Sequence, residues 1–496
     1  MKKIPFISIL LALLLVLQLA PCPVLATEAE LPSASETSPE PTELIDSTLP
    51  EQVSGNASVN AGCKSINAVY PLVNSSQIPL KLGAALMYEM NSGTLLYAMN
   101  ADAKMYPASV TKVMTCLLAL EYGNFDEMVT VSQEVVNNRD PNGSNCSLVA
   151  GEEMSLKNLM YCLMVASAND AGSVISEHIA GDEASFVEMM NRKAQELGCV
   201  NTHFANPHGL HDENHYTTAR DLAKIVLAAL EYDLFQEIYS TVTYDVPPTN
   251  MSDARELTTT NYMMETSYVD YYYDDRVVGG KTGFTTPAGR CLAAVSEEGN
   301  MRLLTIALGG ETGTNENGMV AFGSFSETGV MIDYGFGNFR MGTILTPDAV
   351  LKSFDVLGGE NSTQGYVKES VSTALPLDAN NSHLRYEYIL DQDTLTAPVE
   401  ADEAIGVVRV WYLSKCIAEQ EMYALVSSQV KQTEIISDPA IQNEVAPEQN
   451  TIWHAVLMVV VVLLGIIVVM LALSGLRGIL LQRRRNKRRK SRRRSR

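Results

Sequence analysis

Three short polar segments of this chain combine residue types that can carry nucleophilic catalysis. The first is Tyr106-Pro107-Ala108-Ser109-Val110-Thr111-Lys112, which opens an apolar helical run through Val113, Met114, Leu117, Leu118 and Leu120 that stops at Gly123. Residues three apart share a helix face, so Ser109 and Lys112 are expected side by side at a helix N-terminus. There, backbone N–H groups point outward and the local field favours negative charge. An activated serine needs that setting: an amine to take its proton and donors to hold the oxyanion formed on attack. Lysine can act as that base only if its pKa falls well below about 10.4, through burial or a second cation. The second segment, Ser167-Ala168-Asn169, interrupts the apolar pattern Leu163-Met164-Val165-Ala166 with polar groups that need partners if buried. The third, Gly279-Gly280-Lys281-Thr282-Gly283-Phe284-Thr285, directly follows strand-like Val277-Val278. Its glycines let another backbone approach closely, and Lys281 supplies the second cation.

Each segment alone has a plainer reading. Ser-x-x-Lys is commonly an exposed helix turn, and Ser167 or Asn169 could cap a helix at a helix-helix corner. Lys281 could sit in a phosphate loop, although the Gly-x-x-x-x-Gly-Lys-Ser/Thr spacing is missing. Their occurrence in one chain in this order, about 55 and then about 110 residues apart, favours a single site. His208, His211 and His215 invite a metal reading, but Gly209 and Asp212-Glu213-Asn214 argue for a loop rather than one helix face, so neither a metal nor a cofactor is expected. The aromatic run Tyr268 to Tyr273 could wall a groove or be an ordinary surface loop.

The elements that must position these segments are legible in outline. Leu80-Lys81-Leu82 and Ala84 to Tyr88, then Asn91-Ser92-Gly93 and Thr94 to Tyr97, predict a β-hairpin. From about 107 to 235 the apolar spacing is helical, as in Leu156, Leu159, Met160 and Leu163. Strands return at Val277-Val278, Cys291 to Val295 and Leu303 to Leu308. Strands on both sides of a helical block predict an α+β catalytic domain with an antiparallel sheet, over 76–345. After Asp333-Tyr334-Gly335-Phe336 the pattern turns to β-branched and aromatic runs (Arg385 to Leu390, Gly406 to Leu413), predicting a small all-β domain over 346–435.

The two ends place this material outside the cytoplasm. Lys2 and Lys3, the apolar stretch Ile4 to Leu17, and Val24-Leu25-Ala26 read as a signal peptide over 1–26. Pro21 disfavours lipidation at Cys22. Thr27 to Gln52 holds seven acids and no base, a composition that cannot bury a core, so 27–75 is expected as a disordered acidic linker. A polar stalk over 436–452 leads to a transmembrane helix over 453–476, whose apolar stretch Ala455 to Leu473 reaches the length of about 20 residues that a bilayer requires. Arg477 to Arg496 carries 12 Lys and Arg and no acid, a tail expected on the cytoplasmic side. Setting that tail and the two leader lysines aside, 22 of the 36 bases remain against 58 acids, which makes nucleic acid an improbable partner for the outer part. The eight cysteines, odd in number once the leader is removed and widely spaced, do not form a disulfide framework, and Cys116 and Cys162 are expected as buried thiols.

With Ser109, Lys112, Ser167, Asn169 and Lys281-Thr282-Gly283 in view, the chain resembles the penicillin-binding proteins and serine β-lactamases. Gly198 to Phe204, Asn206-Pro207-His208-Gly209-Leu210, Thr217 to Leu222, Asp333-Tyr334-Gly335-Phe336 and the later Ala397-Pro398-Val399 and Ile405 to Val408 narrow the resemblance to low-molecular-weight D-Ala-D-Ala carboxypeptidases, over roughly 76–430. That resemblance implies Ser109 as nucleophile, Lys112 as acylation base, Ser167 and Asn169 as proton relay and substrate holders, and Lys281, Thr282, Gly283 and Phe284 as the substrate-binding strand. The oxyanion donors would be the backbone N–H groups of Ser109 and Phe284. It implies peptidoglycan stem peptides as substrates, β-lactams as covalent inhibitors, and attachment to the cell membrane through the C-terminal helix. A β-lactamase is disfavoured because no Glu-x-x-x-Asn lies between Asn169 and Lys281; the non-catalytic alternative is a penicillin sensor or wall-binding scaffold, of which the sensor is disfavoured because only a short basic tail follows the span. One departure stands out: these carboxypeptidases usually place an arginine some 30 residues beyond Lys-Thr-Gly to bind the terminal carboxylate. Gly309 to Asp333 contains none, which leaves endopeptidase activity open, with Thr282, Thr285 or Arg290 as substitutes.

Overall fold

The computed structural model of the protein describes Leu72 and residues 75–432, except 267–269, 315–317 and 319. The expected leader, almost all of the acidic linker, Tyr268, the stalk, the transmembrane helix and the basic tail lie outside the described residues. Among the described residues no helix is long and apolar enough to cross a membrane.

The expected hairpin forms from β1 (Ala84–Glu89) and β2 (Thr94–Met99), turning through Gly93 at φ 72°. Three later strands, β3 (Val277–Thr285), β4 (Gly289–Glu298) and β5 (Met301–Gly310), complete an antiparallel sheet in the order β2-β1-β5-β4-β3. Successive strand side chains point to opposite faces, and the two faces feed separate cores. Ala84, Leu86, Leu304 and Ile306 join the core of the helical block, while Ala85, Met87, Leu303 and Ala307 join a second core with Phe325, Met331 and Ile332. Burial on both faces explains why these strands read as unbroken apolar runs.

In the helical block, α1 (Lys112–Tyr122) is enclosed along most of its length, which suits its nearly all-round apolar sequence. One 3-10 turn, Ala108–Thr111, leads into it. Around it lie α2 (Leu156–Met164), α3 (Asn169–Ala180), α4 (Glu183–Glu196), α5 (Ala219–Leu230) and α6 (Asp233–Tyr239). Side-chain caps fix several starts: Ser155, Asp182 and Thr218 accept from the backbone N–H groups of Asn158, Ser185 and Asp221. The start of α3 has no such cap, so neither Ser167 nor Asn169 caps it. On the other face lies α7 (Gly323–Asn338).

A second, all-β part follows. Strand β6 (Phe339–Leu345) pairs with β9 (Val371–Pro376), while β7 (Lys352–Phe354), β8 (Thr363–Tyr366), β10 (Leu384–Leu390), β11 (Ala404–Tyr412) and β12 (Lys415–Ala424) form a sheet in the order β7-β8-β12-β11-β10. The expected α+β domain with a small all-β domain after it is therefore present. Cys116 and Cys162 are buried free thiols, as are Cys146, Cys199 and Cys291. Cys416 is disulfide-bonded, so one bridge exists where the spacing suggested no framework.

The two parts meet over a polar hub at the β1-β2 turn. The buried Glu89 carboxylate accepts from the backbone N–H of Ser92 (2.7 Å), Asn91 (3.2 Å) and Arg302 (3.1 Å) and from the Ser92 hydroxyl. Ser92 Oγ in turn accepts from the Ala374 backbone N–H, and Thr94 Oγ1 lies 2.8 Å from Thr373 Oγ1. Removing an acceptor that serves several buried donors costs about 3 kcal/mol. Glu89→Ala is therefore expected to lower the calorimetric unfolding midpoint by several degrees, and an unchanged midpoint would rule out this hub as a structural anchor.

Candidate active site

The 3-10 turn and the first turn of α1 bring Ser109 and Lys112 together: Lys112 Nζ lies 2.9 Å from Ser109 Oγ. The lysine is completely buried. Its nitrogen also donates to Asn169 Oδ1 at 2.7 Å and to the His208 carbonyl at 2.7 Å. A neutral amine has two N–H groups and one lone pair. With two carbonyl oxygens taking the N–H groups, the lone pair is left to accept the Ser109 hydroxyl proton. Burial is the main force holding the Lys112 pKa well below the ordinary lysine value; nearby Lys281 adds to it and Asp170 pulls the other way.

Lys281 is the second buried cation. From β3 its Nζ donates to Ser167 Oγ (2.9 Å) and to the Thr282 carbonyl (3.1 Å), and burial lowers its pKa to about 7. Ser167 sits between α2 and α3 with φ 58°, and Asn169 begins α3. All three motifs therefore contribute to one polar cluster. Backbone packing closes it. A Cβ on Gly283 would stand 2.8 Å from the Pro107 carbonyl oxygen and 2.9 Å from Ser109 N, and one on Gly209, which has φ +85°, would stand 1.9 Å from the Ala108 carbonyl oxygen. Ala108 itself takes φ 49°, a left-handed conformation uncommon outside glycine.

A cavity of about 400 Å³ opens on Ser109, lined also by Ser167, Asn169, Thr282, Gly283 and Phe284. Lys112 and Lys281 do not line it but hydrogen-bond to Ser109, Asn169 and Ser167, which do. Phe284 is half-exposed on the rim.

A family model described as D-alanyl-D-alanine carboxypeptidase matches residues 73–312, and one described as the C-terminal domain of penicillin-binding protein 5 matches 339–430. The D-alanyl-D-alanine carboxypeptidase DacA of Haemophilus influenzae is 30% identical over 357 residues, 68% of this chain and 83% of the relative. The chain belongs to the D-alanyl-D-alanine carboxypeptidase family. DacF of Bacillus subtilis, another protein of that name, is 29% identical over 71% of this chain and 86% of its own length. The crystal structure of penicillin-binding protein 5 from Haemophilus influenzae superimposes with a TM-score of 0.57 at 28% identity, covering 71% of this chain and 98% of that one.

Within this family frame, several contributors escape sequence reasoning. The His208 carbonyl is a backbone group with no side-chain signature. Asp170 accepts from the N–H groups of Cys146 and Leu148, both at 3.0 Å, and so pins the loop whose Asp140, Asn142, Gly143 and Ser144 line the cavity. Only the turn-forming composition of Pro141 to Asn145 hinted at that loop. The three histidines serve the loop itself. Ala205 N–H donates to His215 Nδ1 (3.0 Å), which leaves Nε2–H to donate to Thr111 Oγ1 (2.7 Å). Burial pushes the pKa values of His208 and His215 down to about 3 and about 4, and His211 packs edge-on against Tyr106. Tyr271, Tyr272 and Tyr273 line a separate depression rather than the Ser109 cavity.

Lys112 acts as base only when neutral, above its own depressed pKa. Acylation of Ser109 by a fluorescent penicillin should therefore fall as pH drops through that value and persist well below the ordinary lysine range. Replacing the neighbouring cation in Lys281→Met removes one of the causes that hold Lys112 down, so the acid limb of the labelling profile should move to higher pH. An unmoved limb would show that Lys281 does not set the field at Lys112.

Proposed function

We propose that this chain is a serine-type D-Ala-D-Ala carboxypeptidase acting on peptidoglycan stem pentapeptides by way of an acyl-enzyme. The observation that carries the reading is the buried Lys112 amine held between Ser109 Oγ and two carbonyl oxygens. Ser109 Oγ attacks the carbonyl carbon of the penultimate D-alanine while its proton passes to Lys112 Nζ. The oxyanion forms against the backbone N–H groups of Ser109 and Phe284, fixed donors of the kind that stabilise developing charge. Collapse breaks the C–N bond, and the departing nitrogen takes the proton that Lys112 carries, relayed through the Ser167 hydroxyl that Lys281 orients, which leaves Lys112 neutral again. Water then attacks the ester, gives its proton to Lys112 and restores the Ser109 hydroxyl. A β-lactam acylates the same oxygen, but its severed nitrogen stays tethered within the site.

The reading extends to organisation and place, supported by the sequence of the two ends. A leader over 1–26 exports the chain, the linker over 27–75 precedes a catalytic domain over 76–345 and a β domain over 346–435, and the stalk over 436–452 joins them to a span over 453–476. The basic tail stays in the cytoplasm, and both domains face the wall.

The test uses the full chain in detergent with a labelled penicillin and, separately, a D-Ala-D-Ala-terminated pentapeptide, beside Ser109→Ala. Covalent labelling together with free D-alanine, both lost in the variant, is the expected result. Labelling without D-alanine release would favour an endopeptidase, a penicillin sensor or a wall-binding scaffold, and no labelling would remove Ser109 as nucleophile.

A further inference from the structure

The described arginines are mostly partnered, as befits a chain with 58 acids against 36 bases. Arg139, Arg220, Arg255, Arg276, Arg302 and Arg409 each lie within salt-bridge distance of a carboxylate. Arg290, half-buried on β4, does not. It lines the cavity that opens on Ser109 and is the only Lys or Arg among the described lining residues.

The setting of Arg290 is built rather than incidental. It pairs directly with Phe284 across β3 and β4, so the two side chains share a face. Its guanidinium lies 4.0 Å from the Phe284 ring centroid and 4.2 Å from that of Phe322, held between the two rings. Its Nε donates to Thr312 Oγ1 at 3.0 Å, which fixes the plane of the fork. Among the described residues no group takes up Nη1 or Nη2. A guanidinium partly withdrawn from water and given no carboxylate is costly, and the cost shows as a lowered Arg290 pKa caused mainly by burial. No Lys or Arg occurs from 309 to 333 to share the task.

A peptide cleaved one residue from its end carries its free carboxylate within one residue's length of the scissile carbonyl. Arg290 stands opposite the residue that follows Thr282-Gly283 on the strand lining the same cavity. Resting on the carboxypeptidase reading, we infer that Arg290 is the receptor for the substrate's terminal carboxylate, with the Phe284–Phe322 sandwich holding its fork ready in the cavity that Thr282 and Thr285 also line. Planar, bidentate recognition of a carboxylate is what a fixed guanidinium provides and a lysine does not.

The test measures initial rates of the full chain on three substrates. These are a D-Ala-D-Ala peptide with a free carboxylate, the same peptide ending in an amide, and a neutral acyl-D-alanyl thioester that reports Ser109 chemistry without a carboxylate. The wild type should prefer acid over amide by roughly 10- to 100-fold in kcat/KM. In Arg290→Gln that ratio should fall to within about threefold of unity, with the loss carried mainly by KM, and Arg290→Lys should lie between. Thioester turnover reports whether each variant keeps its fold. Should Arg290→Gln lose it, the ratio in Arg290→Lys decides in the same way. A wild type without acid preference, or a ratio preserved in the variants, overturns the assignment while leaving the acyl-enzyme reading intact. No turnover of any of the three substrates by the wild type overturns both.

Discussion

Two buried lysines share one polar cluster, and the rest of the architecture answers to that constraint. Burying an ammonium without a counter-charge is expensive, and burying two near each other more so. Lys112 and Lys281 are both almost wholly inaccessible, yet neither makes an ion pair in the described structure; each is held by neutral oxygens instead. Asp170, the acid whose charge bears on Lys112, spends its carboxylate on the backbone of the loop at 146–148 and on Arg139, 3.9 Å away. The site thereby keeps enough polar contact to accommodate the amines and too little negative charge to lock them as cations. A close carboxylate would stabilise the ammonium and remove the lone pair that Ser109 needs.

That balance requires side chains from distant parts of the chain to be held within a few tenths of an ångström, and the fold achieves it mainly with backbone. Gly283 against Pro107 and Ser109, and Gly209 against Ala108, are contacts that leave no room for a Cβ. Ala108 and Ser167, directly before the nucleophile and at the relay, occupy left-handed conformations that cost of order 1 kcal/mol or more each. Their neighbours over-determine them: α1 is enclosed by the helical block, and Thr111 is tied to His215. Strain at the reacting groups is thus carried by packing further out.

This division explains what could be read from the sequence. The hairpin was legible because Asn91-Ser92-Gly93 is an efficient turn, and the helices because their apolar spacing is regular. Ser109, Lys112, Ser167, Asn169 and Lys281 were legible because catalysis demands side chains of fixed type at fixed intervals. What remained hidden acts through groups the alphabet does not mark. The His208 carbonyl belongs to no particular residue type, and the histidine spacing that suggested a metal instead reflects a loop tying itself to Thr111. Asp170 carries no signal of its own in the sequence, because an acid in the first turn of a helix is common. Arg290 drew notice only because another arginine was missing; its aromatic sandwich comes from strand register and from Phe322, some thirty residues on.

The two edges of the catalytic sheet are treated differently, and the difference bears on function. An uncovered edge strand offers unpaired N–H and C=O groups to any passing chain. At the β2 edge the danger is met by coverage: the Leu72 N–H bonds to the Leu95 carbonyl, and the all-β part contributes Thr373 beside Thr94. At the opposite edge, β3 ends the sheet with Thr282, Gly283 and Phe284 facing the cavity. Here the Pro107–Ser109 turn packs against Gly283 and leaves a confined slot instead of an open rail. An extended peptide can pair along such an edge. The same contact that excludes indiscriminate strand pairing also sets Ser109 beside the backbone on which a substrate would lie, so protection of the edge and placement of the nucleophile are one structural solution.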